Sequence, residues 1–264
     1  MKYSNKSIVI IGEGAWSSKI SKILLEQDHN LEIIKYSARE FILKSKQQVS
    51  KIASNQILWI ATTPDLQFEI LKKIQDFNCK AILEKPLATN FSKLEELLEF
   101  IPSIKPDLFL SEPWRHSQIW NKIRTNIESL PKPISVEIKR GGPIMRTYMS
   151  PVFDWMYHDL GLISELISNE NKSLSIRLLS SRDVNNMSFN LTIPNEITID
   201  ISIGYFLEKI ATWEINNNLT FEFNGSSSEK DNPIARMFLD VQNRAGNDLT
   251  NQLWLVRRIT ELIS

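Results

Sequence analysis

The tightest constraint on this chain lies near its start. Ile8-Val9-Ile10-Ile11 is a compact β-branched run that stops at Gly12-Glu13-Gly14 and gives way to Ala15-Trp16-Ser17, after which Ile20, Ile23 and Leu24 recur at helical spacing. β-branched side chains favour extended backbone, and an apolar run without polar alternation suits a strand covered on both faces. Such strands belong to parallel sheets, whose neighbours must be joined by crossover helices. The next hundred residues supply the pattern. Residues 31–36, 57–61, 81–83 and 108–110 read as further strands. Phe68, Leu71 and Ile74 follow the third strand at helical spacing, and Leu94, Leu97 and Leu98 follow the fourth. Strand alternating with helix predicts a Rossmann-type parallel sheet with right-handed crossovers. We place this α/β domain at residues 1–112.

Residues 113–264 read differently. A strand over 134–139 and a helix over 152–167 are followed by several strands in succession. Ile197, Ile199, Ile201 and Ile203 alternate with Thr198, Asp200 and Ser202, the period of two that a half-buried strand shows. Residues 208–215 and 219–223 flank Asn216-Asn217-Asn218, and asparagine tolerates the left-handed backbone of a hairpin turn. A polar loop over 224–231 and a closing helix over 247–263 complete an α+β domain on a mostly antiparallel, open-faced sheet. The helices are too few to cover both faces, so the isoleucine-rich surface is expected to be buried in a homo-oligomer.

Composition removes several classes of function. The 264 residues carry 31 basic and 31 acidic side chains, without the basic excess of a nucleic-acid binder. A lone cysteine, Cys79, forms neither an intramolecular disulfide nor a cysteine-based zinc site, and it fits a reducing compartment. The first apolar run ends at Gly12, too early for a signal peptide, and no later stretch approaches the roughly 18 apolar residues of a membrane span. A cytoplasmic protein with no membrane partner is expected.

Four motifs carry chemistry. In the loop Gly12-Glu13-Gly14-Ala15-Trp16-Ser17, the first glycine permits the tight turn and the second lets backbone approach a pyrophosphate at the helix N-terminus. Ser17, where a third glycine is usual, is small enough for close helix–strand packing. The plain alternative is an ordinary strand–helix turn; the flanking strand and helix favour a dinucleotide site. At the end of the second strand, Ser37-Ala38-Arg39 offers no carboxylate to ribose hydroxyls, whereas Ser37 and Arg39 suit a 2′-phosphate, so NADP(H) is expected ahead of NAD(H). Ala61-Thr62-Thr63-Pro64 and Glu84-Lys85-Pro86 follow the third and fourth strands, at the carboxyl edge where open α/β sheets bind ligands. Finally, Ser150-Pro151 reads as a cap and first helical position, with Asp154 and His158 four residues apart on one helix face. A histidine suits proton transfer near neutral pH, and a neighbouring carboxylate sets its tautomer. Of the other histidines, His29 reads as a loop residue and His116 follows Arg115 near the domain boundary. No ligand cluster accompanies His158, so no metal is expected.

These motifs, in this order and spacing, resemble the Gfo/Idh/MocA oxidoreductase family, from the glycine loop through Ala61-Thr62-Thr63-Pro64, Glu84-Lys85-Pro86-Leu87 and Asp154-x-x-x-His158-Asp159-Leu160 to the hairpin around Trp213. The resemblance implies hydride transfer between nicotinamide and a sugar-like or nucleotide-sugar alcohol or carbonyl. It implies that Lys85 orients the reacting oxygen, that His158 is the general acid/base with Asp154 behind it, and that Trp114 and Arg115 line nicotinamide and substrate. The chain departs from the family at Phe68, where many members have histidine, at Ser17, at Ser129-Leu130-Pro131-Lys132-Pro133 in place of a glycine turn, and at Ala38 in place of an acid. Two other readings stand beside this one: a dinucleotide-binding regulator without catalysis, and a reductase of a C=N or conjugated bond on a non-sugar ligand.

Overall fold

A computed structural model describes residues 7–54, 56–143, 149, 151–167, 173–183, 186–206, 208–223, 232–244 and 249–263. The expected alternation opens the chain: β1 (Ser7–Ile11), α1 (Ala15–Gln27), β2 (Glu32–Tyr36), α2 (Ala38–Leu43), α3 (Lys46–Ala53), β3 (Ile57–Ile60), α4 (Pro64–Ile74), β4 (Lys80–Leu83), α5 (Phe91–Phe100) and β5 (Asp107–Leu110). All neighbouring strands pair in parallel, in the order β2-β1-β3-β4-β5. The order in which successive strands are added reverses between β1 and β3, and their carboxyl ends therefore flank the crevice where such sheets take ligands. The short α2 and α3 were not read from sequence. Each starts at a serine cap, Ser37 accepting from the Glu40 amide and Ser45 from the Gln48 amide, but six and eight residues hold too little apolar periodicity to register.

The later part contains α6 (Gln118–Ser129), β6 (Ile134–Gly142), α7 (Tyr157–Leu166), β7 (Ser175–Asp183), β8 (Asn186–Ile193), β9 (Ile197–Tyr205), β10 (Ile210–Ile215) and β11 (Leu219–Glu222). Six strands form a mixed sheet in the order β11-β10-β6-β9-β8-β7, antiparallel except for the β6–β9 pair. Asn216 and Asn217 take φ of 49° and 57°, the left-handed turn expected of them. Ile197, Ile199, Ile201 and Ile203 are buried, in register with Ile193, Leu191, Phe189 and Met187 of β8. Trp120 of α6 meets Trp213 of β10 edge-on at 5.6 Å.

That burial corrects one expectation. The alternation was read as leaving an apolar face for a second copy; the period of two instead sends every isoleucine of β9 inward, onto the core of this same chain. Positions on the opposite face carry Ser188, Asn190, Thr192, Thr198, Asp200 and Ser202, with Asn190 donating to Asp200 at 2.7 Å and Thr192 to Asn190 at 2.8 Å. The isoleucines of β9 therefore supply no exposed apolar face.

The last helices are α8 (Pro233–Asn243) and α9 (Leu249–Thr260). The chain divides into two compact units, and the first takes the described parts of Met1–Ala88, Ser92–Pro113 and Lys230–Gln252. A segment that sequence assigned to the second domain therefore belongs with the parallel sheet. Ile234, Met237, Phe238 and Val241 of α8 join Ile8, Ile10, Trp59, Ile82 and Phe109 in one buried cluster with Ile20, Ile23 and Leu24 of α1. Phe238 stacks on Trp59 with centroids 6.3 Å apart. The Lys80 ammonium donates to the carbonyls of Val241 and Gln242, each at 2.8 Å, and to that of Arg244, capping the carboxyl end of α8. No helix among the described residues is long and apolar enough to cross a membrane.

Candidate functional site

The glycine loop is fixed by its neighbours on the sheet. The Gly12 amide donates to Tyr36 O and the Ala61 amide to Ile11 O, both at 2.8 Å, so the ends of β1, β2 and β3 are tied together. Gly12 has φ +146°, and a Cβ there would stand 2.2 Å from the Ala61 carbonyl oxygen. Only glycine fits. Gly14 is different: a Cβ would meet nothing within 4 Å. It caps α1 with no side-chain hydrogen bond, and no acid stands in the first turn. The leading amides of a thirteen-residue helix thus open onto unfilled space beside an exposed Ala15. This is the donor set and the clearance that a diphosphate needs, so the residues fit a dinucleotide. Ser17 is buried and its hydroxyl donates to Gly14 O at 2.8 Å, bracing the loop from below. Trp16 remains partly exposed, with the Lys19 ammonium 5.3 Å from its ring centre.

Ser37 and Arg39 sit where sequence placed them, at the end of β2, but as the start of α2. The Ser37 oxygen already accepts from the Glu40 amide at 3.1 Å, which leaves its hydroxyl proton as the group to offer a ligand. Arg39 is exposed and Ala38 buried.

The loops after β3 and β4 emerge at the same edge. Thr63 caps α4 and Pro64 takes its first position, while Ala61 and Thr62 are half-buried. Glu84 is buried and its carboxylate accepts from Trp59 Nε1 at 2.8 Å. Burial pushes its carboxyl above the usual range; indole N–H groups of Trp16 and Trp59 and the Lys85 charge oppose the shift. Lys85 is half-buried, and Pro86, joined to it by a cis peptide, is buried. Sequence reading missed Gln67, whose carboxamide bonds both loops: Nε2 donates to Thr62 O at 3.1 Å, Glu84 O at 2.8 Å and Pro86 O at 3.4 Å. Phe68, in the family's histidine position, turns away to meet Phe100 edge-on at 5.3 Å.

In the second unit, Asp154 and His158 lie on one continuous helical segment. Its first five residues, Val152–Met156, form a π-helical turn rather than the α-helix expected, and α7 continues it. Such turns recur at functional sites because they re-aim side chains. Asp154 is buried and His158 half-buried. Pro151 occupies the cap position, and Ser150 lies outside the described residues.

What fixes this segment is Asp159. Fully buried, it accepts from Arg140 Nε and Nη2, both at 2.6 Å, and from Trp213 Nε1 at 2.8 Å. Adjacent residues on a helix point about 100° apart. Locking Asp159 onto β6 and β10 therefore sets the rotation of α7 and the direction in which His158 projects. The signal was present in sequence: Ile134, Val136 and Ile138 mark the buried phase of β6, and Arg140 continues it. An arginine in a buried phase requires a carboxylate. Trp114 meets Phe223 edge-on at 5.2 Å, and Arg115 pairs with Glu165 at 2.7 Å, which also accepts from Trp120 at 2.6 Å. Both residues fall in the second unit, while the other expected cofactor residues fall in the first.

No family profile matches the sequence, and no curated protein matches it. Solved structures match along almost the whole chain. The WlbA (WbpB) dehydrogenase from Thermus thermophilus, in complex with NAD and UDP-GlcNAcA, has a TM-score of 0.71 at 10% identity, covering 98% of this chain and 94% of its own. The dehydrogenase MviM from Clostridium difficile gives 0.68 at 16% identity, covering 98% and 99%. The myo-inositol 2-dehydrogenase from Lactobacillus plantarum gives 0.67 at 14% identity, covering 98% and 96%. The likeness lies in the backbone rather than in the side chains, and it identifies the chain as having the two-sheet fold of the Gfo/Idh/MocA-type dehydrogenases.

Proposed function

We propose that this chain is an NAD(P)-dependent oxidoreductase that transfers a hydride between nicotinamide and a sugar-like or nucleotide-sugar alcohol or carbonyl. The observation that carries the reading is the carboxyl edge of the parallel sheet. There a glycine loop that admits no other residue at Gly12 opens an uncapped helix, and the loop bearing Lys85 leaves the same edge. The solved neighbours support it: the Thermus thermophilus dehydrogenase is described with NAD and a nucleotide sugar, and a Lactobacillus casei inositol dehydrogenase with NAD(H) and myo-inositol.

Gly12, Gly14, Ala15, Trp16 and Ser17 would hold the diphosphate, with Ala61, Thr62, Thr63, Pro64 and Glu84 along the crevice. When bound, nicotinamide supplies or accepts the hydride. Negative charge develops on the substrate oxygen, and the Lys85 ammonium stabilises it electrostatically. His158 takes the hydroxyl proton in one direction and returns it in the other, and Asp154 fixes its tautomer. Trp114 and Arg115 are assigned to the substrate and nicotinamide surroundings. Arg39 and the Ser37 hydroxyl, with no acid at Ala38, favour the 2′-phosphate of NADP(H).

The test is turnover of UDP-N-acetylglucosamine and inositols with either cofactor, beside cofactor fluorescence titration. Lys85→Ala and His158→Ala should each lower turnover by about 10²–10⁴-fold with cofactor affinity retained. Arg39→Ala should weaken NADPH alone, by about 1.5–3 kcal/mol for a charged hydrogen bond. A His158→Ala variant with full activity refutes the acid/base assignment, and equal affinity for both cofactors in the unaltered chain refutes the NADP(H) preference.

A further inference from the structure

Lys85 is flanked by two carbonyls that share one donor. Gln67 stands in the first turn of α4, buried, with its backbone amide bonded to Thr63 O at 2.9 Å. Its side-chain nitrogen reaches Glu84 O at 2.8 Å, Thr62 O at 3.1 Å and Pro86 O at 3.4 Å. An amide nitrogen carries two hydrogens. The two shorter bonds take one each, and the Pro86 carbonyl shares. The orientation of the amide is fixed by chemistry, because exchanging its oxygen and nitrogen would bring an acceptor against three acceptors. Sequence-distant backbone on both sides of Lys85 is thereby tied to the loop after β3. A second tie, from Trp59 to the Glu84 carboxylate at 2.8 Å, holds the preceding residue from below.

The β4 ladder ends at Leu83, paired to Ile60 and Leu110, so residue 85 lies beyond the sheet's own hydrogen bonds. A leucine or methionine at position 67 would fill the same space and leave three carbonyls without their donor. The sequence hint is a glutamine on the inward face of a helix whose other inward residues, Ile70, Leu71 and Ile74, are apolar.

We propose that Gln67 is the positioning residue for Lys85, setting where its ammonium stands by clamping the Glu84 and Pro86 carbonyls to the loop after β3. The proposal rests on the reading that Lys85 meets the reacting oxygen, but its test does not depend on turnover. Reductive ¹³C-methylation labels lysine amines, and the Lys85 resonance is assigned by its absence in Lys85→Arg. In the full chain carrying Gln67→Met, the Lys85 resonance should move or broaden while those of Lys19 and Lys22 on α1 stay in place. Hydrogen exchange should rise in peptides covering 61–64 and 83–88 only.

Gln67→Glu supplies the second arm, and it decides alone if Gln67→Met fails to fold. A buried carboxyl donates one hydrogen while protonated and repels the carbonyls once ionised. Between about pH 5 and 8, below the range where lysine amines titrate, the Lys85 resonance of Gln67→Glu should shift from a position near the unaltered one to a displaced one. A Lys85 resonance unchanged in Gln67→Met, or independent of pH in Gln67→Glu, overturns the proposal. Turnover separates it from the functional reading. If Lys85→Ala shows its expected loss with measurable residual turnover, Gln67→Met should lose about 10²-fold in kcat, the scale of an ångström-sized misplacement, and add little to Lys85→Ala in the double variant. Losses that simply add would make Gln67 a structural residue and overturn the proposal. Full turnover in Lys85→Ala would instead remove the role of Lys85 and leave the resonance result standing.

Discussion

At the end of β4 the Glu84 carboxyl sits almost out of reach of water, with the Trp59 indole N–H against it. Burial raises its proton affinity in the folded state above that in the unfolded chain. A group of this kind stabilises the fold fully below the ordinary carboxylate range, and the contribution is lost as pH rises through the raised value. The melting temperature should therefore decline across that window. Glu84→Gln keeps an acceptor for Trp59 and carries no titrating proton, so its melting curve should be flatter with pH. Parallel curves for the two proteins would exclude Glu84 as the source. Cys79 gives a second check, since burial pushes its thiol up to about 12. At neutral pH it should react with thiol reagents far more slowly in the native chain than in denaturant. Much of this site was legible before the structure. Glu84-Lys85-Pro86 was placed at a carboxyl edge because it follows an apolar run, and Gly12-x-Gly14 because it ends one. Trp59 and Gln67 were not, because a strand tryptophan and a helix glutamine acquire meaning only from what folding brings beside them.

Among the elements, α7 depends on a single buried ion pair. Asp159 receives two hydrogen bonds from Arg140 and one from Trp213, and the Arg140 guanidinium lies 5.3 Å from the centre of the Phe223 ring. Removing one partner strands a charge without water. Arg140→Met should cost about 3–5 kcal/mol in denaturant unfolding, and Arg140→Met with Asp159→Leu should recover part of the loss. A single variant as stable as the parent would contradict this account of how α7 is held. The same region shows what periodicity conveys and what it leaves out. Alternation along Ile197, Ile199, Ile201 and Ile203 correctly announced a strand with one apolar face. It did not say which neighbour covers that face, and the cover comes from within the chain rather than from a second copy. The helix α6 escaped notice although Trp120, Ile123 and Ile127 mark its inward side, since so few apolar positions leave little contrast with a loop.

For the molecule as a whole, the decisive feature is that α8 closes one face of the parallel sheet. A chain ended after Glu112 would leave Trp59, Ile82 and Phe109 without Met237 and Phe238 above them. It should bind a hydrophobic dye and melt without a cooperative transition, whereas the full chain should do neither; a sharp transition in the fragment would show that the first unit does not need α8. The sheet itself was readable from its five apolar runs, but its missing cover was not, because nothing local in Pro233–Asn243 says that its partner lies more than a hundred residues upstream. That separation also sets a timetable. A ribosome adds about 5–20 residues per second, so the nascent sheet waits on the order of ten seconds between the appearance of β5 and that of α8. Throughout this interval its strands stand complete, with that face covered by α1 but not yet by α8. Synthesis of the first unit thus ends late, and translation is the stage at which this apolar face meets water and other chains.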